Sequence, residues 1–109
     1  MTEDASRSVL IVEDDGDFAE SLADMLVPRG FKPVVAGSPE AAAAVMAGAP
    51  GEEPPSVALI DLRLGKTSGI DLLARLRNER PELIGVLMTA ELDTHTAIAA
   101  LRPSWVKPL

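Results

Sequence analysis

The chain has 109 residues, of which 47% are apolar and 25% charged, and its formal net charge is −7. These values are typical of one soluble globular domain. The acidic charge, without any block of lysine and arginine, argues against binding of nucleic acid or anionic membranes by this chain. The absence of cysteine excludes a disulfide framework. No apolar run is long enough to span a membrane, and the polar N-terminus does not resemble a signal peptide, so a cytoplasmic protein is expected.

Short apolar runs predict the strands. The runs VLIV, VALI and LIGVLM show no alternation, which is typical of strands buried on both faces of a parallel sheet. A weaker strand follows Pro33, a residue suited to a sheet edge. The predicted strands are 9–12, 34–36, 57–60, 83–88 and 104–106.

Helical patterns lie between these strands. The first helix is predicted to begin at Asp17 as N-cap and to place Phe18, Leu22, Met25 and Leu26 on its buried face. The second is predicted from Ser38-Pro39 to Gly48, the third from Ser68–Gly69 to the residue before Pro81, and a short fourth over 94–102. The order βαβαβαβαβ predicts an α/β fold, a doubly wound five-stranded parallel sheet.

The sequence Gly65-Lys66-Thr67 suggests the end of a phosphate-binding P-loop. That motif requires another glycine five residues before Gly65, and Ile60 occupies the position. A β-branched residue lacks the conformational freedom that the loop needs. The P-loop is therefore excluded, and Lys66 and Thr67 are predicted to be solvated loop residues.

Polar side chains are predicted to gather where the parallel strands end, the edge at which such sheets bind ligands. Glu13 and Asp14 follow the first strand, Asp61 the third, Thr89 the fourth and Lys107 the last. Converging carboxylates favour a hard cation such as Mg²⁺, and an aspartate beside the cation can attack phosphorus. Asp15 and Asp17 are instead interpreted as solvated loop residues.

The segments LIVEDD, LIDLRLGKTSGIDLL, VLMTAE and WVKPL together resemble the receiver domain of two-component response regulators, from Val9 to Pro108. The resemblance implies a flavodoxin-like strand order 2-1-3-4-5, with a flexible tail at 1–8 and the receiver domain at 9–109. It implies a domain that takes a phosphoryl group from a histidine kinase or phosphotransfer protein and switches a partner. Such a domain catalyses only its own phosphorylation and dephosphorylation.

The resemblance also assigns roles to single residues. Asp61 would be the phosphoacceptor, Thr89 would bond the phosphoryl group beside the small Ala90, and Lys107 would pair with it. Gly69 matches a glycine of the family. The Mg²⁺ ligands implied are Asp14 directly, Glu13 through water, Asp61 and the backbone carbonyl of Arg63.

Several positions depart from the family. Gly65 replaces a proline, which is expected to loosen the loop. The segment from Thr89 to Lys107 is about four residues short, and Ser104-Trp105 stands where a switch aromatic is expected. The chain stops at Leu109, where a fifth helix would begin, so either the receiver is cut down or its continuation is absent. The lone His95 is interpreted as exposed and not as a metal ligand.

Without the fifth helix, one sheet face is expected to be covered by the third and fourth helices and the other only partly by the first. Alternate side chains of the 83–88 strand would be uncovered, which makes a homodimer a candidate assembly. Two other functions stay open. One is a degenerate receiver that binds partners without phosphorylation. The other is a haloacid-dehalogenase-type phosphatase, whose nucleophile would lie in the first loop near Asp15-Gly16-Asp17.

Overall fold

A computed structural model describes residues 7–48 and 50–88 of the chain. Four strands form its main sheet: β1 (Ser8–Val12), β2 (Lys32–Ala36), β3 (Val57–Asp61) and β6 (Ile84–Met88). The helices are α1 (Gly16–Leu26), α2 (Pro39–Ala47) and α3 (Gly69–Glu79), and one 3-10 turn, Val27–Arg29, follows α1. Two-residue strands, β4 (Arg63–Leu64) and β5 (Thr67–Ser68), precede α3. The predicted elements at 94–102 and 104–106 lie outside the described residues.

The strands are parallel and are ordered β2-β1-β3-β6. This order confirms the predicted doubly wound α/β sheet over its first four strands. The register sets Leu10 of β1 between Val34 of β2 and Ala58 of β3. The four strands of the main sheet therefore end at the same edge. Acidic residues lie there, because Glu13 and Asp14 follow β1 and Asp61 ends β3.

Helices α2 and α3 cover one face of the sheet and form the main core with it. α2 contacts β1 and β2, and α3 contacts β3 and β6. The buried core residues on this side are Leu10, Val12, Ala36, Ala42, Met46, Ala58, Ile60, Leu64, Leu72, Leu73, Leu76 and Leu83. The coverage by the third helix agrees with the prediction, and α2 shares this face with it.

Helix α1 covers only part of the opposite face, as expected. It contacts β1 and β2, where Val9 and Ile11 are buried. On β6, by contrast, Ile84 is 59% exposed and Val86 46% exposed. Their neighbours across the register, Val57 and Leu59 of β3, are half-buried. These four side chains form the β3–β6 strip.

The buried side of α1 differs from the predicted one. Phe18 is 47% exposed and Met25 58% exposed, although both were expected to face the core. The side of the helix nearer the sheet is lined by the buried Ala19 and the half-buried Leu22, Ala23 and Leu26. The prediction failed because two overlapping apolar stripes share Leu22 and Leu26, and small alanines allow the helix to approach the sheet closely.

Two of the three predicted helix N-caps are confirmed. Ser38 caps α2 by accepting a hydrogen bond from the Ala41 N–H, and Ser68 caps α3 by accepting one from the Ile70 N–H, both at 3.1 Å. The cap of α1 is Asp15, not the predicted Asp17. The helix begins two residues earlier than expected because β1 turns directly into it.

The segment after Asp61 is an ordered hairpin instead of a loosened loop. β4 and β5 pair antiparallel, with Leu64 opposite Thr67. Gly65 has φ of 60° and Lys66 has no positive φ, as in the two-residue turn that places glycine first. Lys66 is exposed as predicted, but Thr67 is half-buried in β5, so its assignment to a solvated loop was wrong.

Candidate functional site

Three carboxylates meet at the carboxyl edge of the sheet. Glu13 and Asp14 follow β1, and Asp61 is the last residue of β3, which lies beside β1. One oxygen from each carboxylate lies within 4.8 Å of the others. The parallel pairing of β1 and β3 thus brings together acids that lie almost fifty residues apart in the sequence.

Glu13 is the buried member of the cluster, with 5% of its surface exposed. Its backbone N–H donates to the carbonyl of Ala36 at 3.1 Å, which ties it to the end of β2. Its carboxylate accepts a hydrogen bond from the backbone N–H of Asp15 at 3.1 Å. Burial, together with the negative charge of Asp61, raises the pKa of Glu13 from 4.5 to about 7.

Asp61 is half-buried and held by local backbone contacts. Its Oδ1 accepts from the Arg63 N–H at 3.1 Å. It pairs in register with Met88 of β6, and the next residue, Leu62, donates its N–H to the Met88 carbonyl at 2.8 Å. Asp14, by contrast, is exposed. The carboxylate of Asp61 therefore sits at a strand end tied to β6 and lies close to one buried and one exposed acid.

This donor set fits a hard divalent cation. Clustered carboxylates repel one another, and the negative charge of Asp61 adds to the effect of burial in raising the pKa of Glu13. Carboxylate oxygens with open positions around them are the ligands that Mg²⁺ and Ca²⁺ take in proteins. The described residues thus supply a site that a cation would stabilise electrostatically.

The structure brings together three of the predicted site residues, Glu13, Asp14 and Asp61. Arg63 is adjacent through its backbone N–H, while the predicted role of its carbonyl stays a prediction. Thr89, Ala90, His95, Trp105 and Lys107 lie outside the described residues. In the sequence, Thr89 directly follows Met88, the residue in register with Asp61.

Sequence reasoning missed the part played by Asp15. Its Oδ1 accepts from the N–H groups of Asp17 and Phe18, at 3.1 and 3.2 Å, and thereby caps α1. Its own N–H donates to the Glu13 carboxylate. Part of the signal was present, because aspartate is a strong N-cap residue, but Asp17 is an equally good residue type for the cap.

No helix among the described residues is long and apolar enough to cross a bilayer.

A parallel α/β sheet with three carboxylates gathered at its carboxyl edge is an arrangement suited to cation and phosphate chemistry, and comparison with known proteins identifies the family. The model of the response regulator receiver domain matches residues 9–107. The photosynthetic apparatus regulatory protein RegA of Rhodovulum sulfidophilum is 37% identical over 87% of this chain and 50% of its own length. The acid tolerance regulatory protein ActR of Sinorhizobium medicae is 36% identical over 88% of this chain and 47% of its own.

Solved structures agree with this match. A response regulator from Burkholderia pseudomallei, with a phosphorylated aspartic acid, a calcium ion and citrate, superimposes with a TM-score of 0.75 at 28% identity, over 87% of this chain and 54% of that one. A CheY-like receiver domain protein from Methanospirillum hungatei gives 0.75 at 23% identity, over 88% and 74%. The chain belongs to the receiver-domain family of response regulators and is a phosphoacceptor signalling domain. It spans about half the length of the curated relatives it matches.

Proposed function

We propose that Asp61 is the residue that takes up the phosphoryl group, in a Mg²⁺-dependent reaction. The observation that carries this assignment is the convergence of Glu13, Asp14 and Asp61 within 4.8 Å in a receiver-family chain. The donor would be a phosphohistidine of a histidine kinase or phosphotransfer protein, or a small acyl phosphate. The switched output would be a regulatory partner or domain, since the relatives are regulatory proteins.

The environments of the three acids favour Asp61 as nucleophile. Glu13 is buried, and its raised pKa of about 7 makes its carboxylate the least readily ionised of the cluster near neutral pH, which does not suit a nucleophile. Asp14 is exposed, which suits a cation ligand that keeps water. Asp61 is half-buried on a rigid strand end, a position from which one carboxylate oxygen can face an incoming phosphoryl group.

In the proposed step, an Asp61 oxygen forms a bond to phosphorus as the bond from phosphorus to the donor's nitrogen or acyl oxygen breaks. The donor atom leaves with the electron pair, and Asp61 becomes an acyl phosphate. Mg²⁺, held by Glu13, Asp14, Asp61 and the Arg63 carbonyl, would neutralise the carboxylates and the phosphoryl oxygens. Thr89 and Lys107 would contact the phosphoryl group. Hydrolysis of the acyl phosphate by water restores the Asp61 carboxylate and releases inorganic phosphate, so the domain would catalyse its own phosphorylation and dephosphorylation.

Four further features belong to this proposal. The receiver domain spans 9–109, works in the cytoplasm and binds no nucleic acid itself. Two copies pair through the β3–β6 strip, which is supported by the exposure of Ile84 and Val86 on a face that α1 leaves uncovered. A strip without charged side chains suits association between copies that each carry a net charge of −7.

The test is phosphorylation by acetyl phosphate with Mg²⁺, followed by intact-mass and peptide mass spectrometry. The wild type should gain one phosphoryl group, located on the peptide that contains Asp61. Asp61→Asn keeps the side-chain shape but loses the charge that attacks phosphorus, so it should gain none. Asp17→Asn, an exposed control, should behave as wild type. A phosphoryl group on the Asp15–Asp17 peptide would instead indicate the phosphatase alternative, and no uptake at all the degenerate receiver.

A further inference from the structure

The hairpin after Asp61 brings the chain back against the peptide that follows this residue. α3 begins at Gly69, which is buried, and the Gly69 N–H donates to the Leu62 carbonyl at 2.8 Å. Leu62 in turn donates its own N–H to the Met88 carbonyl at 2.8 Å. The backbone that carries Asp61 is therefore held between the start of α3 and the end of β6.

At Gly69 there is no room for a side chain. A Cβ there would lie 3.0 Å from the Asp61 carbonyl carbon and 3.0 Å from the Leu62 Cα, and closer still to the Asp61 carbonyl oxygen. These neighbours are backbone atoms, so no side-chain rotation can relieve the clash. Gly69 does not have a positive φ. The glycine is required here for the space it leaves and not for its backbone angles.

We propose that Gly69 is a positioning residue for Asp61: the missing side chain lets α3 abut the end of β3 and thereby sets the Asp61 carboxylate among Glu13 and Asp14. This inference rests on the proposed function of Asp61. Any larger residue must push apart either the helix start or the strand end. The Met88 contact restrains Leu62 from behind, so part of the displacement reaches Asp61, the residue before it.

Small displacements matter at such a site because cation binding and in-line transfer depend on geometry. A misplacement of about 1 Å can cost on the order of a hundredfold in rate. One oxygen of each carboxylate lies within 4.8 Å of the others, so a shift of about 1 Å would change the distances between Asp61 and the other two carboxylates substantially. Both the affinity for Mg²⁺ and the rate of phosphorylation should fall together.

The experiment compares Gly69→Ala with Gly85→Ala. Gly85 lies in β6, where a Cβ would lie 2.9 Å from the Leu73 Cγ and closer still to its methyl groups. That variant adds the same methyl group to a crowded place, but against a core side chain instead of the Asp61 backbone. It therefore controls for overpacking, which commonly destabilises a protein by itself. Mg²⁺ affinity is measured by calorimetry and phosphorylation by acetyl phosphate, at a temperature where both variants are folded.

For Gly69→Ala we expect a loss of Mg²⁺ affinity of about tenfold or more and a loss of phosphorylation rate of about a hundredfold. Gly85→Ala should stay within about twofold of wild type in both. If Gly69→Ala does not fold in buffer, both measurements are made in trimethylamine N-oxide, which favours the compact state. Wild-type Mg²⁺ affinity and rate in Gly69→Ala would overturn the inference. Failure of the wild type to bind Mg²⁺ or take up phosphate would instead overturn the proposed function.

Discussion

Asp15 holds Glu13 and the start of α1 at the same time: its backbone N–H donates to the Glu13 carboxylate at 3.1 Å while its side chain caps the helix. This contact favours the charged form of Glu13 and opposes the larger effect of burial. The net result is a carboxyl group that keeps its proton up to about pH 7 in the folded chain. Ionisation of Glu13 is therefore less favourable in the folded chain than in the unfolded chain.

The raised pKa of Glu13 predicts a pH dependence of stability in the presence of a chelator. The pKa of Glu13 is raised from 4.5 to about 7 on folding. Between these values the folded chain binds more protons than the unfolded chain, so the contribution of Glu13 to the free energy of unfolding is fully present below 4.5 and is lost as the pH rises through 7. Glu13→Gln should remove this slope. Chemical denaturation across the pH range measures it, with the exposed Glu20→Gln as control; equal slopes in both variants would contradict the prediction.

Divalent cations should stabilise the chain through Asp14. A ligand that binds only the folded state raises the melting temperature as its concentration rises. Asp14→Ala removes one carboxylate of the cluster and should remove most of the Mg²⁺ effect. Asp17→Ala removes an exposed carboxylate that is neither in the cluster nor the cap of α1, so it should keep the full effect. Thermal melting during a Mg²⁺ titration compares them, and an equal response would show that Asp14 is not a ligand.

The hairpin turn predicts that the residue usual in the family is harmful here. Gly65 has φ of 60°, which the proline ring cannot adopt, since it fixes φ near −65°. Gly65→Pro should therefore lower the free energy of unfolding by about 1 kcal/mol or more. Lys66→Ala, at the exposed neighbouring position, should change it by less than about 0.5 kcal/mol. Urea denaturation measures both, and a stabilised Gly65→Pro variant would mean that the turn adopts another conformation.

The exposed face of β6 predicts self-association. Val86→Lys places a charge in the β3–β6 strip and should shift sedimentation toward the monomer. Val27→Lys changes an apolar residue that is 57% exposed but lies outside the sheet, and should leave association unchanged. Salt screens the repulsion between two acidic copies, so pairing of the wild type should strengthen with ionic strength. A wild type that stays monomeric at all concentrations and salt levels would refute pairing.

Much of the fold could be predicted because its strands carry an unusually plain signal. The runs at 9–12, 57–60 and 83–88 are apolar without interruption, and the serines at 38 and 68 each precede a helical pattern. The acid cluster followed from the strands, because parallel strands end at one edge. These inferences needed only local sequence and one topological rule.

What could not be predicted depends on contacts between segments. Asp15 and Asp17 are equally good caps as residue types, and only the path from β1 into α1 selects Asp15. The rotation of α1, which exposes Phe18, is set by packing against β1 and β2. Strands of two residues, like β4 and β5, are too short to leave a periodic pattern. The space that Gly69 leaves for Asp61 exists only once the hairpin has closed.

Strand β2 lies at the edge of the described sheet, and its composition bears on how the chain behaves at high concentration. It begins with the exposed Lys32 and with Pro33, which has no N–H to offer a further strand. A charged residue and a proline at an edge discourage another chain from extending the sheet there. Growth into fibrils by strand addition at β2 is therefore disfavoured. The proposed pairing through the β3–β6 strip would then give a finite assembly.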